Sequence, residues 1–369
     1  MRIGFDAKRA FKNKSGLGNY SRDLIRGLHQ QFPENDYVLF TPVGETDLLE
    51  DNYTKNLICS SSSSKAGKSY WRSFSITKDI ISAKLDIYHG LSNELPFSIN
   101  KSNVKKVVTI HDLIFLEIPS LYPFIDRKIY LKKFSNACGS ADKIIATSEH
   151  TKKDIIKHFK VKENKIEVVY QSCNDIFKKK ASKENLAQIV KKYKLPEQYI
   201  LNVGTIENRK NLLNIVKAIY YFNLDTTLVV VGRKTPYYNE VKDYIDSHNL
   251  GNKVIFLPKV SNEELPAIYQ KSSAFIYPSL YEGFGIPIIE AFNSGTPVIT
   301  SDQGSPSEIA GDAAILVEAL NSKSIGIALK SVLESNDLAK SLIKSGYKRA
   351  ELFNKEIVTK NMMQVYKSL

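Results

Sequence analysis

Residues 277–291 read YPSLYEGFGIPIIEA, which predicts a buried strand, a glycine-rich loop and the first turns of a helix in direct succession. Gly283 and Gly285 permit a close approach of the backbone to a ligand. Pro287 has no N–H group and suits the first helical turn, where that group would have no partner in the helix. A strand, a loop and a helix in this order are typical of an α/β fold.

The loop before this helix is a predicted phosphate site that also carries two acids. Free N–H groups at a helix N-terminus and the helix dipole attract anions. Glu282 would repel a phosphate bound beside it, so we expect Glu282 and Glu290 to accept hydrogen bonds from hydroxyl groups instead. Alone, Glu290 is best explained as an acid favoured by the dipole. Together with Glu282 and the two glycines, it is predicted to bind a ligand.

A second strand, glycine turn and helix occur at VGTIENRKNL, residues 203–212. Arg209 and Lys210 lie at the predicted start of the helix, where positive charges oppose the dipole and cost stability. Such a local mismatch is expected at functional sites, and two adjacent cations suit a diphosphate. On their own, they would be interpreted as ordinary surface cations.

Short apolar runs alternate with helical patterns along the chain, which predicts mostly parallel sheets covered by helices on both faces. The predicted strands are 2–7, 37–40, 56–60, 86–89, 106–111, 143–147 and 166–170 in a first series, and 199–204, 227–232, 253–257, 274–277, 297–301 and 313–317 in a second. We therefore predict two doubly wound domains, residues 1–175 and 176–353, and a last helix of about residues 354–369 that crosses back onto the first domain. Ligands bind outside the carboxyl ends of such sheets, so we expect the site in the cleft between the domains.

The first domain holds two further candidates. Residues 15–20 read SGLGNY and open a predicted helix, but a single G-x-G is a weak signal. A dinucleotide site needs a third glycine where Ser21 stands, and no acid follows the second strand, so hydride transfer is disfavoured. His111 ends a predicted strand and would face the cleft, with Asp112 orienting it. A histidine buried in the core explains the same pattern.

Composition excludes several classes of protein. The chain has 369 residues, 43% of them apolar and 25% charged, which indicates a globular protein. Its three cysteines have no C-x-x-C spacing and indicate neither a disulfide framework nor a zinc site. No run approaches the roughly 20 apolar residues that cross a bilayer, and the N-terminus does not resemble a leader, so we expect a cytoplasmic protein.

The net charge of +13 is shared evenly by the two halves of the chain. Basic stretches such as residues 127–162 are first interpreted as solvated faces. The five serines at 60–64, with residues 65–68 after them, are interpreted as a mobile surface loop without assigned chemistry.

With these residues identified, the chain resembles glycosyltransferase family 4, the retaining GT-B transferases that use sugar nucleotides. The resemblance covers nearly the whole chain and is most specific at Glu282 and Glu290, inside E-G-F-G-x-P-x-x-E. It is supported by G-T-x-E-x-R-K-N-L at 204–212, G-x-G-N-Y at 16–20, H-D at 111–112 and S-E-I-A-G-D-A-A at 307–314. The chain departs from the pattern at Asn208, where relatives often carry proline.

The resemblance implies an α/β GT-B fold of two Rossmann-like domains facing a cleft, with the donor bound by the second. Glu290 is implied to hold the ribose hydroxyls of the donor nucleotide, and Glu282 to contact the transferred sugar. Arg209 and Lys210 are implied to neutralise the diphosphate. The backbone amides implied to help them are those of Gly283, Phe284 and Gly285.

In the first domain, the resemblance implies that His111 is catalytic and lies near the reacting face of the sugar. The loop of Gly16 and Gly18 is implied to approach the donor phosphates and the acceptor. Asp112 and Arg127 are implied to lie on the acceptor side.

The implied reaction moves a sugar from a nucleoside diphosphate to a hydroxyl of a saccharide or lipid-linked saccharide, with retained configuration. A phosphate oxygen of the leaving group is expected to take the acceptor proton. We expect neither a metal nor a cofactor, because Arg209, Lys210 and backbone amides supply the positive charge. Residues 89–96 and 126–130 resemble mannosyltransferases of O-antigen or capsule assembly, so that GDP-mannose is the first donor expected.

Three alternatives remain open at this stage. A sugar-nucleotide epimerase or a phosphorylase would use similar phosphate contacts. A non-enzymatic protein that binds nucleic acid through its positive charge would need clustered cations with exposed aromatic residues, which the even charge distribution does not favour.

The stretch 127–162, with Ile129, Tyr130, Phe134 and Phe159, is also predicted to contact an anionic inner membrane.

Overall fold

The computed structural model describes residues 1–14, 16–44 and 46–369. The chain divides into two compact units, Met1–Ser172 with Lys355–Leu369, and Cys173–Asn354. Ser15, the first residue of the predicted glycine motif, lies outside the described residues.

The strands of the first unit are β1 (Arg2–Asp6), β2 (Asp36–Thr41), β3 (Leu57–Cys59), β4 (Ile87–Gly90), β5 (Lys105–Ile110), β6 (Lys143–Ala146) and β7 (Ile166–Val168). Those of the second are β8 (Tyr199–Val203), β9 (Thr227–Val231), β10 (Val254–Phe256), β11 (Ala274–Tyr277), β12 (Val298–Ser301) and β13 (Ala314–Val317). All the paired strands are parallel. The two-sheet α/β fold predicted from the apolar runs is confirmed.

The helices of the first unit are α1 (Lys8–Lys12), α2 (Gly16–Gln31), α3 (Lys65–Tyr70), α4 (Ile76–Ser82), α5 (Ile114–Glu117), α6 (Phe124–Ser140), α7 (Glu149–Phe159) and, from the end of the chain, α16 (Lys355–Lys367). Those of the second are α8 (Lys183–Tyr193), α9 (Leu212–Tyr221), α10 (Tyr237–Ser247), α11 (Leu265–Lys271), α12 (Ile286–Asn293), α13 (Gly304–Ala310), α14 (Ser322–Glu334) and α15 (Asn336–Ala350). None of the described helices is long and apolar enough to span a membrane.

Strand order decides which loops become neighbours. The first sheet runs β3-β2-β1-β4-β5-β6-β7 and the second β10-β9-β8-β11-β12-β13. In each sheet the order reverses beside the first strand of the unit, between β1 and β4 or between β8 and β11. Such a switch point opens a crevice at the carboxyl ends of the two strands. We therefore expect ligands of each unit at these ends.

The strands are apolar throughout because helices cover both faces of each sheet. In β2, Val38 and Phe40 pack into one apolar cluster and Leu39 into the other. Side chains alternate between the faces of a strand, so a strand buried on both faces needs an unbroken apolar run. This is the physical reason that the short apolar runs in the sequence located the strands.

The last helix, α16, packs on α2 within the first unit. A Cβ atom on Gly27 would lie 2.3 Å from Oγ1 of Thr359, so the two helices approach closely there. Met362, Met363 and Tyr366 of α16 are buried in the same apolar cluster as β1. The Tyr366 hydroxyl and Nδ1 of His89 are 2.6 Å apart.

Residues 65–68 are not a loop, and this part of the loop prediction is wrong. They form the first turn of α3, which is capped by the Ser64 hydroxyl accepting a hydrogen bond of 3.0 Å from the Gly67 N–H. Serine is a favoured N-cap, and the run of serines concealed this signal. The serine segment ends in a helix that carries two lysines.

Gly18 has a packing role that Gly16 does not share. A Cβ atom on Gly18 would lie 1.8 Å from the carbonyl oxygen of Asn13, just beyond α1, whereas one on Gly16 would meet nothing within 4 Å. Glycine at position 18 therefore permits α1 and α2 to pack.

We predict that Gly18→Ala destabilises the protein by about 2 kcal/mol or more, because a backbone oxygen has to move to admit the methyl group. The matched variant Gly16→Ala is expected to change stability by about 0.5 kcal/mol or less. Urea denaturation of the two purified variants measures the difference. Equal stability of both would contradict the packing role of Gly18.

Candidate active site

The two glycine-containing motifs of the second unit meet because β8 and β11 are neighbours in the sheet. Ala274 and Phe275 of β11 pair with Ile200 and Leu201 of β8, in parallel. Each motif follows the carboxyl end of its strand, so both loops lie at the same edge. The Leu280 N–H donates to the Arg209 carbonyl oxygen at 2.8 Å and joins the two loops directly.

A buried ion cluster joins these loops. Oε1 of Glu282 lies 2.8 Å from a guanidinium nitrogen of Arg209 and also accepts a hydrogen bond from the Lys210 ammonium. The same oxygen accepts from the hydroxyls of Tyr277 at 2.9 Å and Ser279 at 2.6 Å. Oε2 of Glu282 accepts no hydrogen bond from any described residue. One carboxylate oxygen thus holds the cluster together, and the other is available to a ligand.

The charges in the cluster balance. Burial alone would raise the pKa of Glu282, but the positive charges of Lys210 and Arg209 outweigh it and hold that pKa at about 2. Arg209 also pairs with Glu207, 2.8 Å from its second guanidinium nitrogen. Two cations therefore face two carboxylates, so that a diphosphate would enter a site already neutral in its side chains.

The two cations keep hydrogen-bond donors for a ligand. The Lys210 ammonium uses two of its three N–H groups, on Tyr277 and Glu282. Arg209 uses three of its five, on Tyr281, Glu282 and Glu207. Within the described part of the chain, the remaining three N–H groups have no acceptor, so they can bind phosphate oxygens without breaking the cluster.

Glu290 lies on α12 and is set apart from these cations. It is partly buried, and its Oε2 accepts a 3.0 Å hydrogen bond from the Tyr269 hydroxyl. Burial raises the pKa of Glu290 to about 7, and the bond from Tyr269 only partly opposes this. Burial is the main reason that the pKa of Tyr277 is raised, and the negative charges of Glu282 and Glu290 raise it further. The two acids therefore act on one shared tyrosine.

Helix α12 begins where the sequence predicts it. Gly285 precedes the helix with φ of +122°, a conformation that residues with a Cβ atom rarely adopt, and Pro287 lies in the first turn. The Phe284 side chain is buried and its ring meets that of Phe353 edge to face, with centroids 5.8 Å apart. The ring of Phe284 is therefore a packing group, and the predicted ligand contact of this residue involves only its backbone amide. Gly283 is buried in the same loop.

Arg209 and Lys210 do not lie in the helix, and that part of the prediction is wrong. They form a 3₁₀ turn, Asn208–Lys210, and α9 starts only at Leu212. Between them, Asn211 has a left-handed backbone, with φ of 63°. Its side chain donates to the carbonyl oxygens of Pro278, at 3.1 Å, and Ala319. Asn211 thereby connects the turn to the loop after β11.

His111 is a buried, neutral histidine in the first unit. Its Nε2 lies 2.9 Å from the Leu91 carbonyl oxygen, and its Nδ1 lies 3.3 Å from the Gln171 amide nitrogen. A carbonyl only accepts, so Nε2 carries the proton and Nδ1 accepts from Gln171. Burial lowers the pKa of His111 to about 4. Both ring nitrogens are therefore occupied, and the ring is suited to positioning rather than to proton transfer.

Asp112 does not orient His111, contrary to the prediction. Leu91 and Gln171 hold the ring, while Oδ1 of Asp112 accepts from the Ile114 N–H at 3.2 Å, at the start of α5. The ring of Tyr20 meets His111 edge to face at 4.7 Å between centroids, and its hydroxyl lies 3.0 Å from that of Thr109.

The other predicted residues of the first unit lie on two helices. Gly16 is the first residue of α2, and Gly18 is buried in the first turn of the same helix, two residues before Tyr20. Arg127 lies on α6 with its guanidinium carbon 5.5 Å from the ring centre of Phe124. Its Nε atom is buried without a hydrogen-bond partner among the described residues.

Sequence reasoning missed four residues of the second-unit site. Tyr277 and Ser279 stand in the stretch first quoted, at the carboxyl end of β11, and Glu207 stands two residues before Arg209. These three residues stand close in sequence to the predicted site residues, and that closeness could have indicated that they belong to the site. Tyr269 was not detectable, because it comes from α11 and reaches Glu290 only through the packing of that helix.

No described group of three or more histidine, cysteine or acidic side chains is arranged to hold a metal ion.

Two family models match the chain. Residues 14–174 match the model described as Glycosyltransferase Family 4, and residues 182–349 match the model described as Glycosyl transferases group 1. The O-antigen chain mannosyltransferase B of Escherichia coli is 28% identical over 289 residues, 77% of this chain and 74% of that protein. The O-antigen chain mannosyltransferase RfbU of Salmonella typhimurium is 34% identical over 236 residues, 63% of this chain and 62% of that protein.

Solved structures share the fold. A glycosyltransferase from Rickettsia africae superposes with a TM-score of 0.78 at 21% identity, covering 100% of this chain and 98% of that one. Anabaena HepE in complex with UDP and glucose superposes with a TM-score of 0.79 at 15% identity, over 100% of both chains. Between them the two family models cover both units, and the solved structures have the same pair of parallel sheets. The chain therefore belongs to the family 4 glycosyltransferases, a family of sugar-transferring enzymes, and has their GT-B fold.

Proposed function

We propose that the protein transfers a hexose from a nucleoside diphosphate to a hydroxyl of a saccharide or lipid-linked saccharide, with retained anomeric configuration, in the synthesis of a surface polysaccharide. The observation that carries this proposal is the buried cluster of Arg209, Lys210 and Glu282, which keeps free donors for phosphate and a free carboxylate oxygen for a sugar hydroxyl. Glu290 lies on the adjoining helix, and its Oε1, which accepts no hydrogen bond from a described residue, supplies an acceptor for the ribose hydroxyls.

The proposed donor is GDP-mannose. Two relatives, at 28% and 34% identity, are named O-antigen chain mannosyltransferases, which supports both mannose and a polysaccharide acceptor. A UDP-sugar is the second candidate, because HepE superposes on the chain and its structure contains UDP and glucose.

In the proposed mechanism the chain stabilises the leaving diphosphate by positioned charge. The N–H groups of Arg209 and Lys210 that have no acceptor among the described residues would bind the diphosphate oxygens, and the start of α12 would add the helix dipole. The chemistry then needs neither a metal nor a cofactor. A carboxylate with a pKa of about 2, held by two cations, is a weak nucleophile, so Glu282 is proposed to orient the sugar rather than to bond with it.

We also propose that the N-terminal half of α6 contacts an anionic membrane. Phe124, Ile125 and Ile129 are exposed by 60%, 70% and 48%, and Lys128 lies on the same face, its ammonium 4.5 Å from the centre of the Phe124 ring. Apolar side chains beside lysines are the composition of a helix that lies on anionic lipid.

Part of the predicted membrane surface is wrong. The Phe134 side chain is only 6% exposed and stacks on Phe159 at 6.4 Å between ring centroids. Phe134 belongs to the apolar core and the partly buried Phe159 packs against it, so that the proposed surface is restricted to the first two turns of α6.

Lys210→Met is predicted to lower kcat/KM at least tenfold, about 1.4 kcal/mol, because it removes a cation proposed to bind the leaving diphosphate. It also leaves Glu282 with one cation fewer, which costs about 3 kcal/mol or more of stability. The double variant Lys210→Met/Glu282→Gln is expected to recover stability but not activity. The rate of GDP release from GDP-mannose with acceptor and thermal unfolding measure the two effects.

The matched control for this variant is Lys217→Met, on α9, a half-buried lysine that forms no ion pair with a described residue. It is expected to retain the wild-type kcat/KM. Full activity of the double variant would refute the proposed role of Lys210.

Donor affinity is predicted to rise with pH through Glu290. Ribose hydroxyls donate to the charged carboxylate, so binding favours ionisation of a group whose pKa in the free protein is about 7. The Kd for GDP is therefore expected to be up to about tenfold lower at pH 8 than at pH 6. Titration calorimetry at both pH values, repeated with UDP, measures the effect and identifies the preferred base.

The control for this measurement is Glu290→Gln, which cannot ionise. The affinity of this variant for GDP is expected to change with pH only through the protonation of the GDP phosphate groups. If the Kd for GDP depends equally on pH in wild type and variant, Glu290 does not bind the nucleotide as proposed.

The membrane proposal predicts that Ile125→Ser/Ile129→Ser lowers the affinity for phosphatidylglycerol vesicles about tenfold, because two apolar side chains no longer enter the lipid. Co-sedimentation measures binding. Ile81→Ser, which alters an isoleucine of the same unit that is 52% exposed, is the matched control and should bind as wild type does. Binding that ignores the anionic lipid content would contradict the proposal.

A further inference from the structure

A cavity of about 340 Å³ in the first unit is lined by an unusual number of cations. Its basic lining residues are Lys8, Lys12, Lys65, Lys68, Arg72 and Lys133. Ser63, Ser69 and Ser73 also line it. We call this cavity the lysine pocket; every residue that lines it belongs to the first unit, whereas the proposed donor residues belong to the second.

Among the residues that the structure describes, only two of the six cations form ion pairs with acids. Arg72 lies 2.6 Å from both Asp6 and Glu94, and Lys133 lies 3.1 Å from Glu94. Lys8, Lys12, Lys65 and Lys68 form no ion pair with any residue that the structure describes. The lysine pocket therefore carries a large excess of positive charge, unlike the balanced cluster around Glu282.

Two short helices direct these lysines into one space. Lys8 and Lys12 are four residues apart on α1, and Lys65 and Lys68 are three apart on α3, so each pair shares one face of its helix. Like charges at these spacings destabilise a helix by a few tenths of a kcal/mol per pair, about 0.2–0.5. Two pairs of repelling charges that converge without acids are the kind of local conflict expected at a binding site.

The serine run gives α3 its position. Ser64 caps the helix, and the Ser62 N–H donates to the Ser60 hydroxyl at 3.2 Å. A Cβ atom on Gly67 would lie 2.0 Å from the Ser62 hydroxyl, so the serine turn packs directly against the first turn of α3. Small hydroxyl side chains thus hold the two lysines beside the cavity and add donors of their own.

Arg72 forms the floor of the lysine pocket at the switch point of the sheet. It is buried, 7% exposed, and lies in a π-helical turn, Trp71–Ser75, a rare geometry that is frequent at functional sites. Its partner Asp6 ends β1, and Glu94 follows β4, the strand on the other side of the switch. Three of its five N–H groups bind these acids, and the other two have no acceptor among the described residues and can bind a ligand.

The surroundings of Lys8 disfavour its charged form. Burial lowers the pKa of Lys8, and the charge of Arg72 lowers it further, while Glu94 and Asp6 oppose the change. An anion in the cavity would remove this repulsion.

We infer that the lysine pocket binds a multiply charged phosphate group of the acceptor, a diphosphate being the best match to four unpaired lysines. The statement that this phosphate belongs to the acceptor rests on the proposed function. The inference that the lysine pocket binds a phosphate group does not depend on it. A concave site with convergent cations and hydroxyls suits a compact anion, whereas a nucleic acid strand would need a groove with exposed aromatic rings.

Titration calorimetry with inorganic pyrophosphate tests the inference. Lys12→Gln/Lys68→Gln removes two unpaired lysines from the pocket. It is expected to weaken pyrophosphate binding at least tenfold, about 1.4 kcal/mol. The matched control, Lys101→Gln/Lys105→Gln, removes two exposed lysines of the same unit outside the cavity and should change the affinity less than about twofold.

Each outcome separates the pocket from the donor site. Equal pyrophosphate affinity in wild type, pocket variant and control would overturn the inference. A protein that binds pyrophosphate through the pocket but never binds GDP or UDP would support the inference and contradict the proposed function. Farnesyl diphosphate binding more tightly than pyrophosphate would assign the phosphate to a lipid-linked ligand; equal affinity would assign it to a soluble one.

Discussion

The contact between the Glu282 carboxylate and the two cations Arg209 and Lys210 organises the second unit at its functional edge. Removing these charges from water costs free energy, and only mutual pairing with further hydrogen bonds offsets it. Tyr277 and Ser279 supply those bonds on the same carboxylate oxygen. The arrangement holds the two loops together, and it leaves three N–H groups and one carboxylate oxygen without a partner among the described residues. A site assembled before its ligand arrives loses little free energy to reorganisation when charge develops in the reaction.

The two units carry their positive charge in different ways. In the second, two acids balance Arg209 and Lys210, so the side chains of the proposed donor site are already neutral before a diphosphate binds. In the first, the four lysines around Arg72 form no ion pair with a described acid, which favours a ligand that brings its own negative charge. His111 contributes no charge to the first unit, because burial keeps it neutral and its two nitrogens are bonded to Leu91 and Gln171. Polar groups in that interior serve to fix geometry.

Several features were predicted from local pattern and several were not. The strands were located because burial on both faces requires continuous apolar runs, and α12 was located because Gly285 and Pro287 mark its start. Residues 65–68 were misassigned since serine favours both loops and helix caps. Phe134 and Phe159 were placed on the membrane surface because a basic stretch conceals which of its aromatic residues pack inward. Asp112 was assigned to His111 by adjacency, whereas the partners of the His111 ring come from Leu91 and Gln171, about 20 and 60 residues away in sequence.

Local order along the chain was enough to establish the class of fold, the two glycine loops and the identity of the acids and cations proposed to bind the donor. These features depend on residue types that stand a few positions apart. Residues at such short spacings lie at the same strand end or in the same helical turn, so their proximity can be predicted from sequence. Which atoms meet was decided by packing. Lys210 and Glu282 are 72 positions apart, and α1 and α3 carry their lysines to one cavity from separate segments. Those contacts depend on the order of strands in a sheet, a long-range property that no short stretch of residues contains.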